Sequence, residues 1–506
     1  MSNVLIARLR ASIRSRAARL ALGELAFVLS NAEKMMAISI FHAAARVGSR
    51  IFKRGPLLVA GLATAGAVCL GSAVARTTSY ALWDENTGAF QPTGRILWVD
   101  INSVGGPCSD SRTRDEVTSE TPWCNLGPAG SQVMPGDTVR VRGGDYTQVQ
   151  TCDVCENQPF SNSVLQVVVT GDLNAWIRYQ AVEGETVRVI PTGDAMNGVR
   201  IAPIAGRDVT PSYIEVSGFQ IHNAPRNGVV VRDSENIVLR NLDITGSQSG
   251  SVELSNTANL LLEASSIHEN PLGGFTSAVD LFECRSENVI RGNRIWSNRD
   301  TDPNQTEGHG IIMDFCEGAG GALIENNVIW DNDGSCIAIF HSDGAVIRHN
   351  TCWSNGRRLE GFFGEVSILG ARQAIHNNIL LPSAGRLALN FRNDVPDWEA
   401  NYSTTEEDYN LLWAPTHTAV VAWSGIEGTV AEYQAGNPQG WGAHTLQSAP
   451  VLVDPLDENF HLASGSPAID SGDESHSAAI DADGVTRPRD GDGDGVVIVD
   501  RGAFEE

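Results

Sequence analysis

Short apolar runs, not long amphipathic periods, dominate the middle of this chain. "GVVVR" (228–232), "SVELS" (251–255), "AVDLFEC" (278–284), "GIIMDFC" (310–316) and "CIAIFHS" (336–342) are bounded by Gly, Asn, Asp or Ser. Runs this short and this β-branched, set between turn formers, predict strands. Between them a second pattern recurs as "NRIWSN" (293–298), "NVIWDN" (327–332) and "NTCWSN" (350–355). Its third position anchors a column, Ile221, Ile244, Ile267, Ile295, Ile329, Cys352 and Ile379, at spacings of 23, 23, 28, 34, 23 and 27 residues. Two residues earlier runs Ser265, Asn293, Asn327, Asn350 and Asn377, the pattern of a ladder in which each amide bonds the next. A unit of 23 residues cannot bury its apolar face alone and must stack on its neighbours. Each recurrence is therefore one coil of a solenoid, and longer intervals carry loop insertions.

Alternation along a strand sends successive side chains to opposite faces. Val229 and Val231, Val252 and Leu254, Val279 and Leu281, Ile311 and Met313, Ala338 and Phe340 are expected to point inward. Three outward columns follow: Arg232, Ser255, Cys284, Cys316, His341; Val230, Glu253, Phe282, Asp314, Ile339; and Gly228, Ser251, Asp280, Ile312, Ile337. Insertions from Asn270 to Ser277 and from Asn298 to Gly310 enter just before these strands and would wall the face. The catalytic candidates are Asp314, Asp280, Glu307, His309, His341 and Arg232, with Glu253 and Arg285 as substrate-binding candidates. Polar outward residues also belong to any solvated solenoid face, and that reading stands beside the functional one. Asp314 is favoured because Phe282 and Ile339 would flank it and because the loop carrying Glu307 and His309 feeds its strand. Trp296, Trp330 and Trp353 would stack, either as a sugar platform or as packing beneath a covering segment.

Charge divides the chain. Residues 1–75 carry ten Lys or Arg and only Glu24 and Glu33; the remaining 431 carry 26 basic and 59 acidic side chains and no lysine beyond Lys53. So acidic a body disfavours nucleic acid and anionic membrane as partners. Lys53 and Arg54, the uncharged run from Pro56 to Ala75 and the closing Ala73-Val74-Ala75 have the order of a secretory signal peptide, with cleavage expected after Ala75 and translation from Met35 or Met36. A retained membrane anchor is the alternative. Export brings an oxidising compartment, and eight cysteines remain after Cys69. Cys284 and Cys316, in one column of adjacent coils, are the expected disulfide; Cys108–Cys124 and Cys336–Cys352 are paired by proximity. Cys152 and Cys155 form one lone C-x-x-C, without the second pair zinc would want.

The opening "GRILWVDINSVGGPCSD…TPWCNLGPAGSQVMPGDTVRVRGGDY", with its early Asp, Pro122-Trp123 and Gly136 to Val139 strand, resembles that of bacterial right-handed parallel β-helix (pectate-lyase-like) proteins. "YIEVSGFQI" and the following coils fit the same superfamily. The tail "FHLASGSPAIDSG…DADGVTRPRDGDGDGVVIVDRGAFEE" is similar to the terminal module of secreted or surface-anchored members. The resemblance implies an all-β right-handed parallel β-helix over 76–395 and a C-terminal cap at 450–506; residues 396–449, rich in Trp and Gly, break the coil pattern and are expected to form an irregular flap or elaborated turns. It implies a secreted or cell-surface, monomeric protein whose partner is a polysaccharide, cleaved by hydrolysis or by elimination; a non-catalytic adhesive β-helix is the rival. Several lyases of this fold use a lysine base, which this body lacks. Gly308-His309-Gly310 resembles the Gly-His-Gly of polygalacturonase-type hydrolases, but their Asp-Asp pair and Arg-Ile-Lys are absent. Hydrolysis of a neutral or weakly charged glycan is favoured, because so acidic a body repels a polyuronate unless calcium intervenes. Asp490, Asp492 and Asp494 have the spacing of half a calcium loop, which Asp500, Asp481 or Asp483 would complete around a structural Ca²⁺; a solvated acidic turn is the alternative. No organic cofactor is expected.

Overall fold

A computed structural model of the chain describes residues 94–150, 162–204, 209–303, 307–316, 321–358, 364–393 and 401–506. The basic segment with its signal-like run, and Cys152 and Cys155, lie outside the described residues. Three eleven-stranded sheets share the chain, which visits them in rotation through the successive coils. The first runs from Ile96–Val99 to Glu406–Asp408, the second from Gly144–Tyr146 to Leu446–Gln447, and the third from Ser163–Val167 to Ile426–Gly428. Within them strands pair in parallel with the strand one coil away, until Val421–Trp423 closes the third sheet in an antiparallel hairpin with Ile426–Gly428. This is a parallel β-helix.

The third sheet shows how the core is built. Val229, Val252, Val279, Ile311, Ile337 and Val366 align across six coils, and Val231, Leu254, Leu281, Met313, Ile339 and Ile368 align two residues on. All point inward into one continuous core. Each such side chain contributes about 1.5–3 kcal/mol when buried. The inward expectation fails for one coil: Ile337 and Ile339 face the core, whereas Ala338 and Phe340 face outward. In "CIAIFHS" every residue from Ile337 to Phe340 is apolar, so alternation alone does not set the phase.

Corners explain the repeated asparagines. Leaving the first sheet, the chain passes through a left-handed residue: Asn241 (φ 52°), Ala264 (φ 48°), Gly292 (φ 60°), Asn326 (φ 55°), His349 (φ 51°), Asn377 (φ 58°) and Tyr409 (φ 56°) in successive coils. The next residue turns inward, and these form the first ladder: Ser265, Asn293, Asn327, Asn350, Asn378 and Asn410. Asn327 Oδ1 accepts from both the backbone N and Nδ2 of Asn293, each at 3.0 Å, and Asn327 Nδ2 passes the bond on to Asn350. Asn378, not Asn377, continues this ladder; Asn377 is the left-handed corner residue before it, and Leu380 rather than Ile379 takes the core position. Two adjacent asparagines, one wanted for its tolerance of positive φ and one for its amide, are indistinguishable by type.

The corner between second and third sheets repeats the device. Glu269, Ser297, Asp331 and Ser354 are left-handed, and Asn270, Asn298, Asn332 and Asn355 form a second ladder that ends on the buried carboxyl of Glu365. "NRIWSN" thus reads, in order, first ladder, outward, core, outward, left-handed corner, second ladder. At the third corner Glu283, Phe315 and His341 are left-handed and Cys284, Cys316 and Ser342 follow them. Cys284 and Cys316 are disulfide-bonded, Cα to Cα 4.9 Å, but they sit in the core rather than on the expected outward column. Cys108–Cys124 and Cys336–Cys352 are bonded as well.

Two further expectations are corrected. In place of an irregular flap or elaborated turns, residues 401–447 supply the final strands of all three sheets and the helix Val430–Gly436, whose Tyr433 packs on Phe391, as Trp441 does. The segment from 450 is not an end cap. Phe460 and Phe504 lie against Trp330 with Trp296 and Trp353 beside them, and Leu462 and Ala468 lie against Ile379 and Leu411, so it straps the outer side of the second sheet. The tryptophans are packing: Trp296 stacks on His268 at 4.2 Å and on Trp330 at 4.8 Å, beneath that strap. No helix of the described residues is long and apolar enough to cross a membrane.

Candidate functional site

The outward face of the third sheet carries two columns whose register differs from the expected one. One reads Val230, Glu253, Asp280, Ile312, Ala338; the other reads Arg232, Ser255, Phe282, Asp314, Phe340. Asp280 is therefore the direct neighbour of Glu253, and Asp314 stands between two phenylalanines, Phe340 taking the place expected for Ile339. The difference of one residue arises at the insertions, which change coil length without marking which residue resumes the strand.

The two insertions wall this face as expected, and they pair with each other: Pro271–Leu272 forms a short parallel ladder with Arg299–Asp300. Gly308 N donates across to Thr276 O, and Gly308 O accepts from Gly334 N. At a φ of 78°, and with any Cβ on Gly308 falling only 2.9 Å from Asp300 Cβ, the position is restricted to glycine. This returns the loop toward the sheet and delivers Glu307, whose backbone N donates to Asp300 Oδ2 at 3.3 Å and whose Oε2 accepts from Ser277 Oγ at 3.2 Å.

Three carboxyls gather here. Burial pushes Glu307 up to about 8, with the Ser277 bond opposing and the Asp300 charge adding. Burial, then the charges of Glu307 and Glu253, hold Asp280 well above its ordinary value, against a bond from Ser277 N at 2.9 Å. Burial, then Glu307 and Glu283, raise Asp314 in the same way, and its Oδ1 is buried with no hydrogen-bond partner. Strand spacing and rise put the Cα atoms of Asp280 and Asp314 about 8 Å apart. Glu253 is the opposite case. Burial alone would raise it, but Arg232 and Arg226 outweigh that and hold it below the usual range; Arg232 Nε bonds its Oε1 at 2.6 Å and Asn227 Nδ2 its Oε2 at 2.7 Å. One face therefore offers an acid held toward its ionised form beside acids held toward their protonated form.

The remaining candidates have other work. His309 is buried, its Nδ1 accepts from Ser335 N at 2.8 Å, and burial with the Arg392 charge pushes it down to about 3. It is a neutral brace for the next coil rather than a titrating partner of Asp314. Gly310 beside it has no room for a side chain, with Ile329 Cγ2 2.5 Å from a Cβ position, so the Gly-His-Gly is a packing motif. His341 is a corner residue whose ring stacks on Phe315, which in turn meets Phe282 and Phe340 edge-on. Arg285 is tied into the next corner by Glu235, Ser234 O and Asn256 O, off the acidic face. Alternation gives no hint of Asn227, Ser277 or Phe315; only the folded loops bring them in.

In the C-terminal segment, Asp490, Asp492 and Asp494 cap amides of their own turn. The carboxylates that converge are those of Asp470, Asp490 and Asp492. Asp500 is buried, bonded to Asp470 N and Glu506 N, and it and Asp494 stand outside that group, so the four expected ligands do not form one cage.

Residues 206–379 match the family described as right handed beta helix region. No curated protein sequence matches the chain. Among solved structures it is similar to an alginate lyase from Paenibacillus sp. str. FPU-7, with 14% identity and a TM-score of 0.41, covering 65% of this chain and 99% of that one. It is similar to pectate lyase Pel9A, with 16% identity and a TM-score of 0.41 over 82% and 97%. It is also similar to PfbA, a surface adhesin of Streptococcus pneumoniae, with 12% identity and a TM-score of 0.42 over 63% and 79%.

Proposed function

The chain is a right-handed parallel β-helix, and on that scaffold we propose an exported carbohydrate-active protein that hydrolyses a neutral or weakly charged polysaccharide. The observation that carries this reading is the Asp280, Glu307 and Asp314 cluster beside ionised Glu253. Glycoside hydrolysis needs one carboxyl that holds a proton and one that has lost it. Desolvation raises all three acids and the Glu307 charge further raises Asp280 and Asp314, so they lose protons one after another and a mixed state persists toward neutral pH. Asp314, between Phe282 and Phe340, is the general acid, giving its proton to the departing glycosidic oxygen. Asp280, once ionised, takes a proton from the attacking water on the other side of the bond. Their Cα atoms stand about 8 Å apart on neighbouring strands of one face, so both side chains can reach a single glycosidic bond. The partly exposed ring of Phe282 offers an apolar surface to a sugar face beside the acid.

Elimination is poorly served by the same face: Arg232 holds Glu253, Arg285 is bound into a corner, and His341 stacks among phenylalanines. The test is digestion of a panel of neutral and acidic glycans, read by reducing ends and by ultraviolet absorbance of unsaturated sugars. Reducing ends without unsaturated products support hydrolysis. Both together would replace it with elimination, and glycan binding with neither would leave an adhesive protein.

A further inference from the structure

We infer that His376, Asp473 and His476 bind one divalent transition-metal ion of the zinc type, fastening the C-terminal strap to the first sheet. His376 closes the strand Ala374–His376, and Asp473 begins the short turn that carries His476. One donor atom from each lies within 4.8 Å of the others. His476 Nδ1 is 2.6 Å from Asp473 Oδ2, and His376 Nδ1 is 3.9 Å from the same oxygen. The two rings lie parallel with centroids 3.8 Å apart.

The second observation concerns His376 itself. Only 5% of it is exposed, yet neither ring nitrogen has a hydrogen-bond partner. A buried imidazole ordinarily satisfies its nitrogens, and here Nδ1 faces a carboxylate with a second imidazole stacked alongside, so an electron-pair acceptor at Nδ1 would meet the need. Asp473 is placed for this before any ion arrives: its N donates to Asn377 Oδ1 at 2.7 Å and its O accepts from Asn377 Nδ2 at 2.9 Å. Glu406 Oε2 lies 4.0 Å from His476 Nε2, where it would orient the ring from behind. Two imidazoles and one carboxylate suit Zn²⁺ in tetrahedral coordination, with water fourth, and do not suit Ca²⁺, which wants an oxygen cage. On binding, His476 takes the tautomer with its one proton on Nε2, toward Glu406, which frees the Nδ1 lone pair and Asp473 Oδ2 for the metal. The partly exposed His476 ring tilts out of the stack to bring its lone pair to bear.

The full chain, stripped with chelator and titrated calorimetrically with Zn²⁺, should bind one equivalent and melt at a higher temperature when loaded. His376→Phe keeps the stack without nitrogen donors, and His476→Phe removes the exposed ligand. Each should abolish both effects. His461→Phe, which breaks a different His–carboxylate pair in the strap, should change neither. No stoichiometric binding by the wild type, binding that survives either ligand substitution, or equal affinity for Ca²⁺ would overturn the site. If His376→Phe loses its circular dichroism, His476→Phe decides alone.

Discussion

Replacing Asn327 by alanine removes one rung from the middle of the first ladder. Asn327 is fully buried. Its Oδ1 receives two bonds from Asn293, and its Nδ2 donates to Asn350 Oδ1 at 3.0 Å and Ile290 O at 2.9 Å. Asn293 Nδ2 keeps Leu262 O, and Asn350 Oδ1 keeps the backbone N of residue 327. The uncompensated losses are the Asn293 backbone N–H and one bond to the Ile290 carbonyl. At about 1–3 kcal/mol for each buried group left unsatisfied, the two losses should destabilise its coils by about 2–6 kcal/mol in Asn327→Ala. Asn241 is an asparagine of the other kind, exposed at a left-handed corner, and Asn241→Gly should change stability by no more than about 0.5 kcal/mol. A stacked array can open coil by coil, so the assay is amide hydrogen exchange, with denaturant melts alongside. Loss of protection at Asn293 is expected. An Asn327→Ala protein within about 1 kcal/mol of wild type, with that amide still protected, would refute the ladder as a source of stability.

Cys284→Ser should lower stability by about 3–4 kcal/mol, the closure entropy of a loop with a sequence separation of 32, and mass mapping of unreduced protein should find Cys284 joined to Cys316; an alkylated Cys284 would contradict the pairing. Burial pushes Glu365, at the end of the second ladder, up to about 8, and Glu407, beside Asn410 of the first, up to about 7. Folding therefore retains protons that the unfolded chain has released, so their contribution is full below the ordinary value near 4.5 and is lost as pH rises through 7 and 8, by up to about 1.4 kcal/mol per pH unit for each group. Thermal melts should fall along that limb and flatten in Glu365→Gln; a melting temperature indifferent to pH there would contradict the assignment.

The solenoid was legible in the sequence because its period is written redundantly. Isoleucine, tryptophan and two asparagines recur together, and each is demanded by a different part of the coil. Register was less legible. Within 228–255 the alternation of valine and leucine with arginine, glutamate and serine set the phase correctly. Beyond the first insertion, Asp280 was misplaced by one column, and in the all-apolar strand Ile337–Phe340 the two faces were exchanged. The acids of the candidate face were nonetheless picked out, since acids on a walled strand are visible as types. What their environments do to them was not visible. That Glu253 is held ionised depends on Arg226 and Asn227, and that His309 is a buried brace depends on Ser335 one coil away. The segment 450–506 reads as a C-terminal cap, and its hold on Trp330 rests on Phe460 and Phe504, single aromatics without a period.

Whether Asp314 gives the proton that breaks a glycosidic bond is tested most directly by the turnover of Asp314→Asn on the glycan the wild type degrades. Asparagine matches the shape of the protonated acid and has no proton to give, so the melting temperature should stay near that of wild type. Turnover should fall by at least about 100-fold, the lower end of what general acid catalysis contributes. A variant that keeps its turnover would contradict the assignment, and one that unfolds would make Asp314 a structural residue.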